Sequence, residues 1–114
     1  MPLPALIEIE AFLDESGVLR SCTASGHAGA GKTGTDIICA AVSVLLRAAA
    51  RALTGRKGIT IRCDAPEPGF LKLEADYTAE GKDFLFAAGV FLTEGLTSIA
   101  EEYPQNCTLT LRRK

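Results

Sequence analysis

The sequence predicts an α+β fold, a two-layer sandwich in which a mixed or antiparallel sheet carries two helices on one face. Several short segments alternate apolar with polar residues, as half-buried strands do, and turn residues separate them in pairs. Two longer segments instead place apolar residues at helical spacing. The elements follow one another as ββαββαβ along 114 residues, which predicts one domain spanning residues 1–114.

The first predicted element is a β-hairpin. Residues 6–12 alternate apolar with polar side chains, turn residues occupy positions 14–17, and residues 18–25 form the second strand. A turn this short implies antiparallel pairing. Residues 59–64 and 70–77 predict two further strands around a turn rich in Pro and Gly.

Two amphipathic helices are predicted between and after these strands. The first begins at Thr35 or Asp36, both good N-cap residues, and ends near Thr54, where Gly55 closes it. Its predicted core-facing residues are Ile37, Ala41, Val44, Leu45 and Ala48. The second spans residues 82–103 and stops before Pro104. Its predicted core-facing residues are Leu85, Ala88, Leu92, Leu96, Ile99 and Tyr103. Residues 108–113 supply a last strand.

Composition and charge argue against several functional classes. Twelve basic and fourteen acidic residues give a net charge of −2, so nucleic-acid binding is not expected. The chain has one His and four scattered Cys without a CxxC pair, so a metal site of the zinc type is not expected. No secretory signal opens the sequence, and its most apolar run, residues 37–46, is shorter than the ~20 residues that cross a bilayer. We therefore expect a cytoplasmic protein with no membrane partner and with reduced thiols.

A glycine-rich segment offers one functional interpretation. Residues 26–33 satisfy the phosphate-loop pattern GxxxxGK[ST] between a strand and a helix. Three observations argue against nucleotide binding. Gly34 weakens the first helical turn, and the preceding strand is half polar and paired in a hairpin. In addition, no apolar strand ends in an Asp that could bind magnesium, and Asp64 is the nearest candidate. A non-enzymatic anion- or nucleotide-binding module using Gly26–Thr33 is the alternative function. Otherwise Gly26, Gly29, Gly31 and Gly34 are interpreted as glycines of a flexible loop.

The same segment carries a candidate catalytic pair. Cys39 lies in the predicted first helical turn, where the positive end of the helix favours a thiolate. His27, the only His, opens the loop that leads into this helix and can serve as its base. Backbone N–H groups at the helix start, including that of Cys39, are candidate oxyanion-hole donors.

The tripeptide Gly26-His27-Ala28 and the block GTDIICAAVS at residues 34–43 resemble the signature of the ribosomal-processing cysteine protease family, Prp. The resemblance covers nearly the whole chain and departs from the family inside the loop at residues 28–33, which is richer in glycine. It implies a homodimeric cysteine endopeptidase without a cofactor that removes an N-terminal extension from large-subunit ribosomal protein twenty-seven. It further implies Cys39 as nucleophile and His27 as general base. Asp36 either orients His27 or caps the helix, and both roles stay open.

Overall fold

The computed structural model describes residues 6–26, 33–67 and 69–113, and for residues 33–36 the main chain alone. The predicted order ββαββαβ is confirmed. The elements are β1 Ile7–Leu13, β2 Leu19–Gly26, α1 Thr33–Leu53, β3 Ile59–Glu67, β4 Phe70–Tyr77, α2 Lys82–Glu102 and β5 Cys107–Arg113.

The five strands form one mixed sheet in the order β3-β4-β2-β1-β5. Strands β1 and β5 are parallel, and the other neighbours are antiparallel. Ala11 pairs with Cys22, and Cys22 pairs with Leu73 in the next strand. Because directly paired residues share a face of the sheet, these three side chains, all fully buried, mark its apolar face.

Both helices cover this apolar face, as the sequence predicted. Ile38, Val42 and Leu46 of α1 join Leu92 and Leu96 of α2 in one core cluster with the inward residues of the sheet. The opposite face carries charged pairs such as Arg112 with Glu10, whose side chains lie 2.9 Å apart. The result is the predicted two-layer sandwich.

The predicted core face of α1 is wrong by about one residue. The buried residues of α1 between positions 37 and 46 are Ile38, Val42 and Leu46, whereas Ile37 and Val44 are 58% and 64% exposed. The segment is apolar on every side between residues 37 and 46, so helical spacing alone could not identify the core side. The structure thus leaves an apolar surface on the outside of α1.

The prediction for α2 is closer. Leu85, Leu92 and Leu96 are buried, and Gly89 is buried beside them. Tyr103 is an exception, because the helix ends at Glu102 and this side chain is 39% exposed. The helix is long and apolar enough to span a bilayer by composition. Its buried residues pack against the sheet, however, as those of a core helix do.

A polar contact ties the β1–β2 turn to the end of β4. The Asp14 carboxylate accepts hydrogen bonds from the main-chain N–H groups of Ser16 and Val18 within the turn. It also accepts one from the Tyr77 hydroxyl. This bond holds the pKa of Asp14 below its usual range and raises the pKa of Tyr77. The contact therefore links residues that lie far apart in the sequence.

Candidate active site

Cys39 lies on the side of α1 that borders a surface cleft. Ser43 follows it by four residues and Arg47 by eight, a spacing that puts all three side chains along one side of a helix. Cys39 and Ser43 are half-buried and Arg47 is exposed. One wall of the cleft therefore carries a thiol, a hydroxyl and a guanidinium in a row.

The opposite wall comes from β3, β4 and their connecting turn. The cleft has a volume of about 280 Å³. Besides residues of α1, its lining consists of Ala24, Ala65, Glu67, Gly69, Phe70 and Leu71. Apart from Ser43, Arg47 and Glu67, the side chains that line the cleft are apolar or carry a thiol.

The end of β2 lies at the rim of this cleft. Gly26 is the last residue of β2, and its main-chain N–H donates a hydrogen bond of 3.0 Å to the carbonyl oxygen of Gly69. Gly69 is itself a lining residue. His27 lies outside the described residues. The last described residue before His27 is therefore hydrogen-bonded to a residue that lines the cleft containing Cys39.

The flexible-loop interpretation is wrong for two of its four glycines. Gly26 is paired with Ile7 in the sheet, and its φ of +142° together with close main-chain neighbours requires a glycine. Gly34 is the second residue of α1, because the helix begins two or three residues earlier than predicted. Gly29 and Gly31 lie outside the described residues.

The early start of α1 also changes the predicted surroundings of Cys39. Cys39 is the seventh helical residue, so it lies in the second turn and gains less from the helix dipole than the first turn does. Only the first four N–H groups of a helix lack a partner within it. The N–H of Cys39 is therefore not available as an oxyanion-hole donor.

The start of α1 excludes one of the two roles predicted for Asp36. It is the fourth residue of α1, so it is inside the helix and is not its N-cap. The capping interpretation is wrong for this reason. Its role in orienting His27 stays a prediction.

The other three thiols occupy less reactive environments. Burial raises the pKa of Cys22 to about 12. Burial also raises the pKa of Cys107, and negative charge at nearby Cys39 raises it further. Cys63 is exposed on β3, where partial burial raises its pKa while the charge of Arg47 opposes that shift. Cys39 is therefore the thiol that combines access from a cleft with proximity to the end of β2.

Three larger depressions lack this combination. One of about 400 Å³ on the open face of the sheet and one of about 320 Å³ beside the β1–β2 turn have no cysteine in their linings. The third, of about 590 Å³, lies between α2 and β5, and its one lining thiol, Cys107, is 1% exposed. Size alone does not identify the reactive site in this molecule.

One of the three arguments against nucleotide binding is wrong. Gly34 was expected to weaken the first helical turn, but α1 begins at Thr33 and includes Gly34. The other objections hold. Strand β2 is paired antiparallel on both sides, unlike the parallel strand before a phosphate loop, and Asp64 is ion-paired with Arg62 at 2.9 Å on the edge strand β3.

Sequence reasoning missed most of the cleft. The spacing of Cys39, Ser43 and Arg47 would have shown that they share a helix side. No local sequence pattern predicts that Phe70 or Leu71 lines the cleft, because their approach to α1 depends on contacts between distant parts of the chain. These residues became visible only in the folded structure.

A cysteine that lines a cleft, near a strand end that precedes a histidine, is compatible with a thiol nucleophile and a histidine base. The comparisons with known proteins agree with this chemistry. The family model described as cysteine protease Prp matches residues 6–108. The chain belongs to this family and is a cysteine protease.

Solved structures confirm the fold. SMU.848 from Streptococcus mutans superposes with a TM-score of 0.80 at 27% identity, covering 96% of this chain and 97% of that one. The essential ribosomal processing protease Prp from S. aureus, in complex with a substrate peptide, gives a TM-score of 0.78 at 21% identity, covering 94% and 100%. The same S. aureus protease with a covalently linked product peptide gives a TM-score of 0.74 at 23% identity, covering 96% of this chain and 100% of that one. No curated protein matches the sequence.

Proposed function

We propose that this protease removes the N-terminal extension of large-subunit ribosomal protein twenty-seven, with Cys39 as nucleophile and His27 as general base. The observation that carries the proposal is the position of Cys39 in a cleft whose rim holds the end of β2. The residue that follows β2 in the sequence is His27.

Membership of the Prp family supports the substrate class. The S. aureus relative is described as a ribosomal processing protease and was solved with a substrate peptide. Its covalently linked product peptide is consistent with a nucleophilic mechanism in that enzyme. Here Cys39 is the one thiol among four that lines the cleft, which makes it the candidate for the corresponding step.

The proposed reaction proceeds in two stages. His27 takes the proton of the Cys39 thiol, and the sulfur attacks the scissile carbonyl carbon. The carbon–nitrogen bond breaks as His27 returns the proton to the leaving amine. This leaves the N-terminal part of the substrate attached to Cys39 as a thioester. Water, deprotonated by His27, hydrolyses the thioester and restores the thiol.

Mass spectrometry of the extended ribosomal protein, incubated with purified enzyme, tests this proposal. The wild type should release the N-terminal extension, whereas Cys39→Ala and His27→Ala should not. Cys63→Ala is the matched control, because it removes an exposed thiol outside the cleft lining and should cleave normally. Cleavage by Cys39→Ala would contradict the assigned nucleophile.

We also propose that a second copy of the chain covers the outer helix face, giving a homodimer. This face includes Ile37, Val44 and Phe91, which are 58%, 64% and 76% exposed. A groove of about 280 Å³ runs between the helices, and its lining is almost entirely apolar. The groove residues are Leu45, Ala48, Ala49, Ala52, Ala88, Phe91 and Leu92. Burial of such a surface against its own copy would remove it from water.

Phe91→Glu tests the dimer. Light scattering should give twice the 12.0 kDa mass of one chain for the wild type and a single-chain mass for the variant. Lys57→Glu, which places the same charge on an exposed turn, should leave the dimer intact. A wild type that stays monomeric at tens of micromolar would contradict the homodimer.

A further inference from the structure

Two thiols from the two layers of the fold belong to the same part of the core: Cys39 of α1 and Cys107, the first residue of β5. We propose that Cys107 is a resolving thiol, which forms a disulfide with Cys39 after a hydroperoxide has oxidised Cys39. The disulfide blocks Cys39 until a thiol reductant opens it. The loss of activity rests on the proposed function, because it requires Cys39 to be the nucleophile, whereas formation of the disulfide does not.

The packing of the two layers places the thiols at one end of the sheet. Cys107 is buried in the main core cluster, and Cys39 packs against that cluster from α1. Cys107 is paired with Ile7, which is paired on its other side with Gly26 at the rim of the cleft. Ala24, two residues before Gly26, lines the cleft together with Cys39. Cys107 is therefore at the end of the sheet that faces the cleft.

The electrostatics of the thiols agree with this placement. Burial raises the pKa of Cys107, and negative charge at Cys39 raises it further. Cys22 belongs to the same core cluster, but burial alone accounts for its raised pKa. The pKa of the exposed Cys63 responds to the charge of Arg47 and not to another thiol. Of the three other thiols, Cys107 is thus the one that is influenced by the charge of Cys39.

The different exposure of the two thiols gives each a separate step. Cys39 is half-buried and lines the cleft, so a dissolved hydroperoxide reaches its sulfur. Cys107 is 1% exposed, so it is protected from a dissolved oxidant but not from a neighbouring sulfur. Cys107 also directly follows the turn between α2 and β5, where the main chain moves more easily than in the middle of a strand.

The reaction is a two-electron oxidation in two steps. The Cys39 thiolate attacks an oxygen of the hydroperoxide, the O–O bond breaks, and water or an alcohol leaves as Cys39 becomes a sulfenic acid. The sulfur of Cys107 then attacks the sulfenic sulfur and forms the S–S bond. The sulfenic hydroxyl leaves as water with the proton of Cys107. The two thiols have then given two electrons to the hydroperoxide, and a dithiol reductant returns them by thiol–disulfide exchange.

The test treats the purified wild type with hydrogen peroxide and maps its peptides by mass spectrometry without reduction. The protein should lose the mass of two hydrogen atoms and give a cross-linked pair of peptides that contain Cys39 and Cys107. Cleavage of the substrate should fall by more than about tenfold and return after dithiothreitol. The cross-link should form faster at mildly alkaline pH, because its raised pKa keeps Cys107 protonated near neutral pH.

Two alanine variants separate the role of Cys107 from general oxidation. Cys107→Ala should cleave like the wild type before oxidation. Peroxide should then inactivate it in a way that dithiothreitol does not reverse, because Cys39 proceeds to the sulfinic acid. Cys22→Ala is the matched control, since Cys22 is a fully buried strand cysteine of the same core cluster. This variant should keep the cross-link and the recovery.

Two groups of results would overturn the inference. If Cys39 of the wild type gains oxygen without forming the cross-link, or if Cys107→Ala recovers as fully as the wild type, the inference is wrong and the proposed function stands. If the Cys39–Cys107 disulfide forms completely and cleavage continues, Cys39 is not the nucleophile. The proposed mechanism then fails, and the regulation inferred from it fails as well.

Discussion

The main-chain N–H of Gly26 donates a hydrogen bond to the carbonyl oxygen of Gly69, and this bond joins the end of β2 to a wall of the cleft that contains Cys39. The two residues are neighbours only because β2 and β4 pair, with Ser25 opposite Phe70. The sheet itself therefore determines where the chain enters the segment that begins with His27. A change at Gly26 should affect both the stability of the protein and its activity.

Replacing Gly26 by Ala should destabilise the protein by about 2–4 kcal/mol. A Cβ atom there would lie 2.1 Å from the carbonyl oxygen of Leu6, on a backbone with φ of +142°. Urea unfolding measures the loss. Gly55→Ala is the control, because its φ is +81° but no atom lies within 4 Å, so the cost is about 1 kcal/mol of backbone strain. Equal losses in the two variants would contradict the role of close packing at Gly26.

The four thiols should differ in their alkylation rates. Cys39 should react fastest with iodoacetamide near neutral pH, followed by the exposed Cys63. Cys22 should stay unmodified even at mildly alkaline pH, because its pKa of about 12 keeps the thiol protonated. Mass spectrometry of peptides after timed labelling gives the four rates. Faster labelling of Cys63 than of Cys39 would argue against an activated Cys39.

Tyr77→Phe should lower stability in a pH-dependent way. The Tyr77 hydroxyl holds the pKa of Asp14 below its usual value, so this contribution is present above about pH 4 and is lost as pH falls through the lowered pKa. The same bond raises the pKa of Tyr77, so stability is lost again as pH rises from about 10 through the raised value. The difference in urea midpoint between wild type and variant should be largest near neutral pH. A difference that is constant with pH would contradict the assignment.

Two glycines of α2 should respond oppositely to replacement by Ala. Ala gains about 1 kcal/mol over Gly in a helix interior. At Gly89 a Cβ would lie 2.9 Å from the Cβ of Leu19, which is fixed to the backbone of β2, so the net effect should be a loss of about 1–2 kcal/mol. At Gly95 it would meet the flexible end of Leu45 at 3.0 Å, so stability should rise by about 0.5 kcal/mol.

Thermal and urea unfolding of the two single variants measure this contrast. Each variant is compared with the wild type under the same conditions. If both substitutions stabilise the protein, Leu19 has more freedom to move than its attachment to β2 allows.

The strands could be predicted from sequence because their alternation is strict. Ile7, Ile9 and Ala11 repeat every second residue, and all three are buried. The end of β3 was harder to predict from sequence, because the strand continues to Glu67 through a stretch containing Pro66 that resembles a turn. Pairing with β4 overrides that local preference.

The orientation and start of α1 could not be predicted from local pattern. Ile37 and Ile38 are equally apolar, and only the approach of the sheet decides that the second is buried. Gly34 is a poor helix former, yet the helix includes it. For the site, Cys39 was found through its motif. Arg47 was missed, because its place in the lining of the cleft depends on β3 lying opposite.

The parallel pairing of β1 with β5 has a consequence for how the protein folds. Ile7 pairs with Cys107, one hundred residues later in the sequence, so β1 receives its second neighbour only when the chain has been made as far as residue 107. Contacts of such long sequence separation slow folding, since a large loop must close before they form. During synthesis on the ribosome, the edge of β1 would therefore stay open until β5 emerges from the exit tunnel. Only then can β5 take its place beside β1 in the sheet.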